Sequence, residues 1–180
     1  MRSVYESLYE KYHQDLFQFI FYMVKNREQS EDLVQEVYIK VLKSYTQFKG
    51  DSSEKTWLFS IARHVTIDFF RKQTRKKKRL LEFFDWDKKG EQLVDNQPLP
   101  EEIAEKNEDI KLLYQYLEKL SVDQKSVIIL RYIQSMSIQE TADILGWSVS
   151  KVKTTQHRGL KLLQNLAAEQ RGEGRRNEAR

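Results

Sequence analysis

Apolar residues recur along most of the chain at the three- and four-residue spacing of an amphipathic helix. The first segment shows this pattern at Leu8, Tyr12, Leu16, Phe19, Ile20 and Met23, which predicts a helix over about 3–25. A second helix is predicted to begin near Ser30 as its N-cap, with a buried stripe of Leu33, Val37, Val41 and Leu42. A third is predicted over about 55–79, with Leu58, Ile61, Val65 and Phe69 facing the core. No stretch alternates as a strand would, so the predicted fold class is all-α.

The positions of the helix breakers indicate two small helical bundles joined by a linker. The chain has 6 glycines and 2 prolines among 180 residues, and both prolines lie in an acidic middle segment. The polar end of the chain is expected to be disordered and to add a weak, nonspecific attraction for nucleic acid. The predicted organisation is an N-terminal bundle at residues 1–81, an acidic linker at 82–107, a second bundle containing a helix-turn-helix at 108–167, and a basic polar tail at 168–180.

Charge is distributed unevenly along the chain. Residues 1–81 carry a net charge of +6, residues 82–109 carry −7 and residues 110–180 carry +5. Two basic segments that flank an acidic one are expected if both ends of the molecule meet a polyanion. Solvated helical faces would give the same totals, so charge alone leaves both interpretations open.

Several classes of protein are disfavoured by composition. The chain has no cysteine, and its three histidines are far apart in sequence, so disulfides and thiolate zinc sites are excluded and neither a metal nor a cofactor is expected. No apolar run approaches the roughly 20 residues of a membrane span, and the N-terminus is not typical of a signal peptide. A cytoplasmic protein without membrane insertion is therefore predicted. No phosphate-binding loop or nucleophile–base pair is present, so the chain is not expected to be an enzyme.

The segment 137–153 is typical of a helix-turn-helix. Ser137 and Glu140 have the spacing of a capping box, and Gly146 stands where a left-handed residue ends the first helix. Ser148 can cap a second helix. No acid occurs from residue 149 to residue 163, so the second helix presents an unbroken polar and basic face that fits the major groove. A helical hairpin with a solvated basic face is the alternative.

The third predicted helix combines aromatic and basic residues. Trp57, Phe59, Phe69 and Phe70 precede a run in which seven of the nine residues 71–79 are Lys or Arg. Aromatic rings can stack on unpaired bases while cations follow the phosphate backbone. The aromatic residues could equally belong to the core, and the basic run could be a generic nucleic-acid patch.

Two sets of residues resemble conserved regions of one protein family. The segments 32–38, 57–63 and 68–72 are similar to region 2 of the extracytoplasmic-function sigma factors, and residues 123–163 are similar to region 4. Both occur in the family's order and together cover about residues 5–167. Two different motifs in order are far more specific than either alone.

The resemblance implies a factor that binds core RNA polymerase and directs it to promoter DNA. Docking on the clamp of the β′ subunit is implied for Asp32, Leu33, Gln35 and Glu36. Contact with the melted −10 element is implied for Lys55, Trp57, Arg63, His64, Asp68, Arg71 and Lys72, beside a base pocket formed by the loop 48–56. Contact with the −35 element is implied for Lys151, Lys153, Thr154, His157, Arg158 and Lys161.

Further partners follow from the same resemblance. The second bundle would also touch the flap of the β subunit, and an anti-sigma factor, often membrane-anchored, would hold the protein inactive, within a response to cell-envelope or extracytoplasmic stress. His64 stands where many family members carry Asn, which bears on the specificity for the −10 bases.

Two other classes of function are alternatives to this interpretation. A helix-turn-helix regulator with an N-terminal sensor or dimerisation bundle would bind duplex DNA without polymerase. A nuclease would need a cluster of acids with metal-binding spacing, and the isolated pair His64 and Asp68 does not provide one.

Overall fold

A computed structural model describes residues 3–83, the N-terminal half, and residues 108–178, the C-terminal half, with side chains up to residues 80 and 172 respectively. All regular structure within these two ranges is helical, which confirms the all-α prediction. Most of the predicted acidic linker lies outside the described residues.

The first helix, α1, spans Val4–Val24 as the pattern predicts. Ser3 and Glu6 form a reciprocal capping box: the Ser3 hydroxyl accepts from the Glu6 N–H at 3.2 Å, and the Glu6 carboxylate accepts from the Ser3 N–H at 2.8 Å. The helix ends at Lys25, which adopts a left-handed conformation with φ of 60°.

The second helix, α2, spans Arg27–Ser44 and begins earlier than predicted. Its N-cap is Asn26, whose side chain accepts from the Gln29 N–H at 2.9 Å. The predicted cap, Ser30, is fully buried and donates its hydroxyl to the Asn26 carbonyl at 2.6 Å. Because this bond turns the hydroxyl back into the first turn, Ser30 cannot start the helix.

The third helix, α3, spans Glu54–Phe83 and follows a short 3₁₀ turn at Tyr45–Gln47 and a loop. The Ser53 hydroxyl accepts from the Thr56 N–H at 3.0 Å at the start of the helix. The prediction of 55–79 is too short at the C-terminal end. The first two residues of the predicted linker, 82 and 83, belong to α3.

Burial in the N-terminal half confirms most of the predicted core. Every predicted core position of α1 is buried except Tyr12, which is partly exposed and packs against the core. In α2, Leu42 is 47% exposed and the prediction that it is buried is wrong. It follows Val41 by one residue and is rotated by about 100° from the buried stripe. In α3, Leu58 and Val65 are buried as predicted, and Ile61 and Phe69 are partly buried against the core. Phe59, one of the aromatic residues that could belong to the core, is fully buried, and so is Ala62, which was not predicted.

Four further helices form the C-terminal half. They are α4, α5, α6 and α7, at Glu108–Lys119, Val122–Ile128, Ile138–Leu145 and Val149–Glu178, with a π-helical turn at Ile129–Ile133 after α5. Gly159 lies where α7 crosses α5, and a Cβ atom there would be 3.3 Å from Ile128 Cγ1. The absence of a side chain at Gly159 therefore allows the two helices to approach closely.

The end of α7 differs from the sequence-based expectation. Residues 168–180 are predicted to form a disordered tail, yet the helix continues to residue 178. The tail contains no proline, and its two glycines lower helix propensity without removing any hydrogen-bond donor.

The two halves pack against each other. The rings of Tyr22 in α1 and Tyr114 in α4 are stacked with centroids 4.7 Å apart. The amide of Gln134 donates to Gln18 Oε1 at 3.0 Å. In addition α3 lies against α6, and buried apolar side chains from both halves form one continuous cluster.

A group of charged residues lies at this junction. Lys25 at the end of α1 forms an ion pair with Glu118 of α4. Lys125 of α5 is mostly buried. Its burial, together with the nearby charge of Lys25, lowers the pKa of its ammonium group to about 8, and the charge of Glu118 opposes this shift. Lys25 is therefore paired directly with Glu118, whereas the buried ammonium group of Lys125 only feels the charges of both residues.

Candidate nucleic-acid interface

The helix-turn-helix is built from local hydrogen bonds. Ser137 and Glu140 make the predicted capping box at the start of α6. Gly146 ends α6 with φ of 65°, which only glycine adopts without strain. Two further bonds complete the turn, from the Trp147 N–H to the Ala142 carbonyl at 3.0 Å and from the Gly146 N–H to the Asp143 carbonyl at 3.3 Å. This pair of bonds is a Schellman motif, and it fixes the angle between α6 and α7.

The first half of α7, residues 149–163, is called here the recognition helix. Val152 on its inner face is fully buried, which fixes the rotation of the helix. All six side chains that were predicted to meet the −35 element are exposed on its outer face: Lys151, Lys153, Thr154, His157, Arg158 and Lys161. An exposed helix with five cationic or ionisable residues and no acid suits a DNA groove.

A cleft of about 430 Å³ lies at the start of this helix. Its lining includes Lys151, Thr154 and Arg158 from α7, together with Ser121 and Asp123 from the start of α5. The start of the recognition helix therefore borders a cleft whose other wall is the start of α5.

The α3 residues predicted to meet the −10 element divide between two faces. Trp57 is half-buried beside Phe48, with ring centroids 4.9 Å apart. His64 is exposed, and its Nδ1 lies 2.7 Å from the Ser60 carbonyl. Asp68 and Arg71 form an exposed ion pair at 3.5 Å, and Lys72 is exposed beyond them. These five side chains occupy the face of α3 that is open to a nucleic-acid strand.

Lys55 and Arg63 lie apart from that open face. The Lys55 ammonium group is 2.9 Å from Asp15 of α1. Burial lowers the pKa of the Arg63 guanidinium group, while the carboxylate of Asp123 in the C-terminal half opposes this shift. Arg63 Nε is buried and has no hydrogen-bond partner among the described residues. In this arrangement the Lys55 ammonium group is paired with Asp15 and the Arg63 guanidinium group is partly buried, so neither lies on the open face.

The α2 residues predicted to dock on polymerase are mostly accessible. Asp32 and Gln35 are exposed, and Glu36 is partly exposed and forms an ion pair with Lys40 at 3.2 Å. Leu33 is only 6% exposed and belongs to the core, so it supports α2 from below rather than presenting a contact surface.

Two apolar residues on the same side of α2 were missed by sequence reasoning. Ile39 is 53% exposed and Leu42 is 47% exposed. They follow Gln35 at intervals of four and three residues, which is the spacing of one helical face. That spacing was the signal in the sequence, but Leu42 was assigned to the buried stripe because it is apolar and adjacent to Val41.

A groove of about 630 Å³ runs beside this face between α1 and α2. Tyr5, Tyr9 and His13 line it from α1, and Tyr38 and Ile39 line it from α2. The rings of Tyr9 and His13 are stacked at 4.1 Å, and burial lowers the pKa of the His13 imidazole. The exposed α2 face is therefore continuous with an aromatic groove.

The described residues contain no cluster of three or more His, Asp or Glu side chains that could hold a metal ion. Within the same residues, no helix is both long and apolar enough to cross a membrane.

Comparison with known proteins identifies both halves. The profile of Sigma-70 region 2 matches residues 8–76, and that of Sigma-70, region 4 matches residues 110–163. The chain is 58% identical to the ECF RNA polymerase sigma factor SigX of Bacillus subtilis (strain 168) over 91% of this chain and 83% of that protein. It is 35% identical to the RNA polymerase sigma factor YlaC of the same organism over 92% of this chain and 93% of that protein.

Solved structures show the same fold. The sigma factor RpoE from Bartonella quintana, in complex with the anti-sigma factor NepR, aligns with a TM-score of 0.67 and 25% identity, covering 91% of this chain and 96% of that one. CnrH in complex with the cytosolic domain of CnrY aligns with a TM-score of 0.66 and 22% identity, covering 92% and 88%. The two regions matched in order and the 58% identity to SigX show that the chain belongs to the extracytoplasmic-function sigma factors of the sigma-70 family.

Proposed function

We propose that this chain binds core RNA polymerase in the cytoplasm and directs it to a defined set of promoters. The observation that carries the proposal is the presence of two separate exposed surfaces on one small protein. One is the acidic and apolar face of α2 at Asp32, Gln35 and Ile39, and the other is the acid-free recognition helix. A regulator that only bound duplex DNA would need the second surface and not the first.

The α2 face is proposed to dock on the β′ clamp. Exposed carboxylates beside exposed aliphatic side chains suit a partner helix that carries both cations and apolar residues, because charge complementarity guides the encounter and apolar burial holds the complex.

The open face of α3 is proposed to hold the melted −10 strand. Unstacking a base costs a few kcal/mol, and stacking on Trp57 together with contacts from His64 and Arg71 to the strand would offset that cost. Phe48 lies against Trp57 at the edge of the loop 48–53, where a flipped base could be received; residues 54–56 of the predicted pocket belong to α3. Lys55 and Arg63 would join this surface only after the Lys55–Asp15 ion pair opens and the C-terminal half moves away from Arg63.

The recognition helix is proposed to read the −35 element as an intact duplex. Lys153, Thr154, His157 and Arg158 would read the −35 element, and Lys151 and Lys161 would meet phosphates. We also propose the predicted division of the chain: the N-terminal bundle at residues 1–81, the acidic linker at 82–107, the second bundle at 108–167 and the basic polar tail at 168–180.

We further propose that an anti-sigma factor controls this chain and that its regulon answers cell-envelope stress. Support comes from RpoE, which is similar over 91% of this chain and whose solved structure is a complex with an anti-sigma factor.

Replacing Arg158 by Ala should lower transcription from promoters with a matching −35 element. A lost base contact costs about 1–3 kcal/mol, which corresponds to roughly five- to hundred-fold weaker promoter binding. Arg171→Ala is the matched control, because Arg171 is also exposed on α7 but lies beyond the recognition helix. Both variants should bind core polymerase as the parent does. Equal loss of polymerase binding in Arg158→Ala would mean that this side chain supports the fold instead.

A further inference from the structure

We propose that Trp147 is a positioning residue that holds the Lys151 ammonium group in place for a DNA phosphate at the −35 element. The inference rests on the proposed function, because DNA is the ligand. It assigns a part in DNA binding to a residue of the turn that is itself not predicted to touch DNA.

The geometry of the pair is specific. The Lys151 ammonium nitrogen lies 3.9 Å from the centroid of the Trp147 indole ring, well within the range of a cation–π interaction, and tryptophan offers the strongest such site among the aromatic side chains. Trp147 is itself half-buried against the apolar core. The ring is therefore a fixed platform rather than a second mobile side chain.

The backbone on both sides of this contact is also fixed. The Trp147 N–H is held by the Ala142 carbonyl within the Schellman motif. The Lys151 N–H donates to the Ser148 hydroxyl at 3.2 Å, which caps α7. Lys151 is thus anchored at its backbone by Ser148 and at its ammonium group by Trp147.

The other cations of the recognition helix lack such support. Among the described residues, no hydrogen bond, ion pair or ring contact restrains the side chains of Lys153, Arg158 or Lys161. A lysine side chain loses several rotatable degrees of freedom when it is immobilised on a ligand, and a preorganised one has already lost them. Lys151 should therefore contribute more to DNA affinity than an unrestrained lysine on the same face.

The position of Lys151 is unfavourable for the helix itself. It is the third residue of α7, whose first turn contains no acidic residue. A cation there opposes the positive end of the helix dipole. The helix dipole therefore does not favour a lysine at this position, and the contact of its ammonium group with the Trp147 ring offsets that cost.

The alternative is that Trp147 only packs the core. A double-mutant cycle separates the two roles, because a purely structural residue would affect DNA binding equally whether or not Lys151 is present.

The full-length chain is titrated with a fluorescein-labelled 30-base-pair duplex that the parent chain selects from a randomised pool, at several KCl concentrations. The variants are Trp147→Leu, Trp147→Phe, Lys151→Ala, the double variant Trp147→Leu with Lys151→Ala, and Lys161→Ala as the matched lysine control. Circular dichroism melts verify that each variant is folded at the assay temperature.

Lys151→Ala should weaken binding roughly five- to tenfold and reduce the slope of log K against log salt by about 1. Lys161→Ala should weaken binding less than Lys151→Ala does. Trp147→Leu should weaken binding about threefold in the parent and by less than about 1.5-fold when Lys151 is already Ala. Trp147→Phe should keep more affinity than Trp147→Leu, because a phenyl ring still offers a π face.

A threefold loss from Trp147→Leu in both backgrounds would overturn the inference, and so would unchanged affinity in Trp147→Leu. If Arg158→Ala weakens binding but neither Trp147→Leu nor Lys151→Ala does, the inference fails while the proposed function stands. If none of these variants, Arg158→Ala included, changes binding to the selected duplex, the −35 assignment and the inference are both rejected.

Discussion

The double variant Asp32→Ala, Glu36→Ala should bind core RNA polymerase at least tenfold more weakly than the parent chain. Both side chains lie on the solvent side of α2, and neither is a buried core group. Removing two carboxylates from a docking face weakens electrostatic guidance and leaves the partner's cations unpaired, which typically costs 2 kcal/mol or more for a close pair. The measurement is a competition assay in which the variant and a labelled parent chain compete for purified core polymerase.

The control for this variant removes the same charge elsewhere. Glu108→Ala, Glu169→Ala alters two exposed carboxylates of the C-terminal half and should leave core affinity within about twofold of the parent. Equal affinities for the docking variant and the parent would count against the assignment of α2 as the polymerase-binding face.

Replacing Lys125 by Met should stabilise the protein by about 2 kcal/mol at pH 7. Burial holds the pKa of Lys125 at about 8, against an ordinary value of 10.5, so at neutral pH the folded chain carries an ammonium group that its surroundings disfavour. A difference of about 2.5 pKa units corresponds to roughly 3 kcal/mol, and the remaining solvent contact and the attraction of Glu118 reduce that figure. Methionine is similar in length and removes the charge without leaving a cavity.

The pH dependence of this gain has a definite sign. The unfolded chain binds the Lys125 proton more tightly than the folded chain, so between pH 8 and 10.5 the parent becomes more stable as the pH rises. The advantage of Lys125→Met should therefore be complete below about pH 8 and shrink toward pH 10.5. Urea unfolding midpoints at pH 7 and pH 10 measure it. Lys119→Met, at an exposed site of α4, should change stability little at either pH, and a destabilised Lys125→Met would show that the ammonium group is well solvated.

The features that could be predicted from the sequence are those determined by neighbouring residues. The capping boxes at Ser3 and Ser137 each need only a hydroxyl and a Glu three residues later, and the left-handed turn at Gly146 needs only glycine. These bonds form within one turn of helix, so they leave a short-range pattern. The helical periodicity of α1 predicts its buried face for the same reason.

The start of α2 shows where local patterns fail. Ser30, Glu31 and Asp32 have the composition of a helix beginning, but Asn26 caps the helix and the Ser30 hydroxyl bonds back to it. Both residues are good caps, and the sequence alone does not show which of two competing hydrogen bonds forms.

The division of α3 into two faces could not be predicted for a different reason. Arg63 and His64 are adjacent, carry similar chemistry and differ in direction by about 100°. His64 faces solvent, whereas Arg63 faces the C-terminal half beside Asp123. That difference depends on how the C-terminal half packs against α3, a contact between residues far apart in the chain.

The central claim is that this chain gives core RNA polymerase the ability to start transcription at defined promoters. Run-off transcription with purified core polymerase and fragments of the source genome tests it directly. The claim predicts discrete transcripts that appear only when the chain is added and that weaken with Arg158→Ala but not with Arg171→Ala. The claim is contradicted if the purified chain does not bind core polymerase and if the same transcripts appear with and without it.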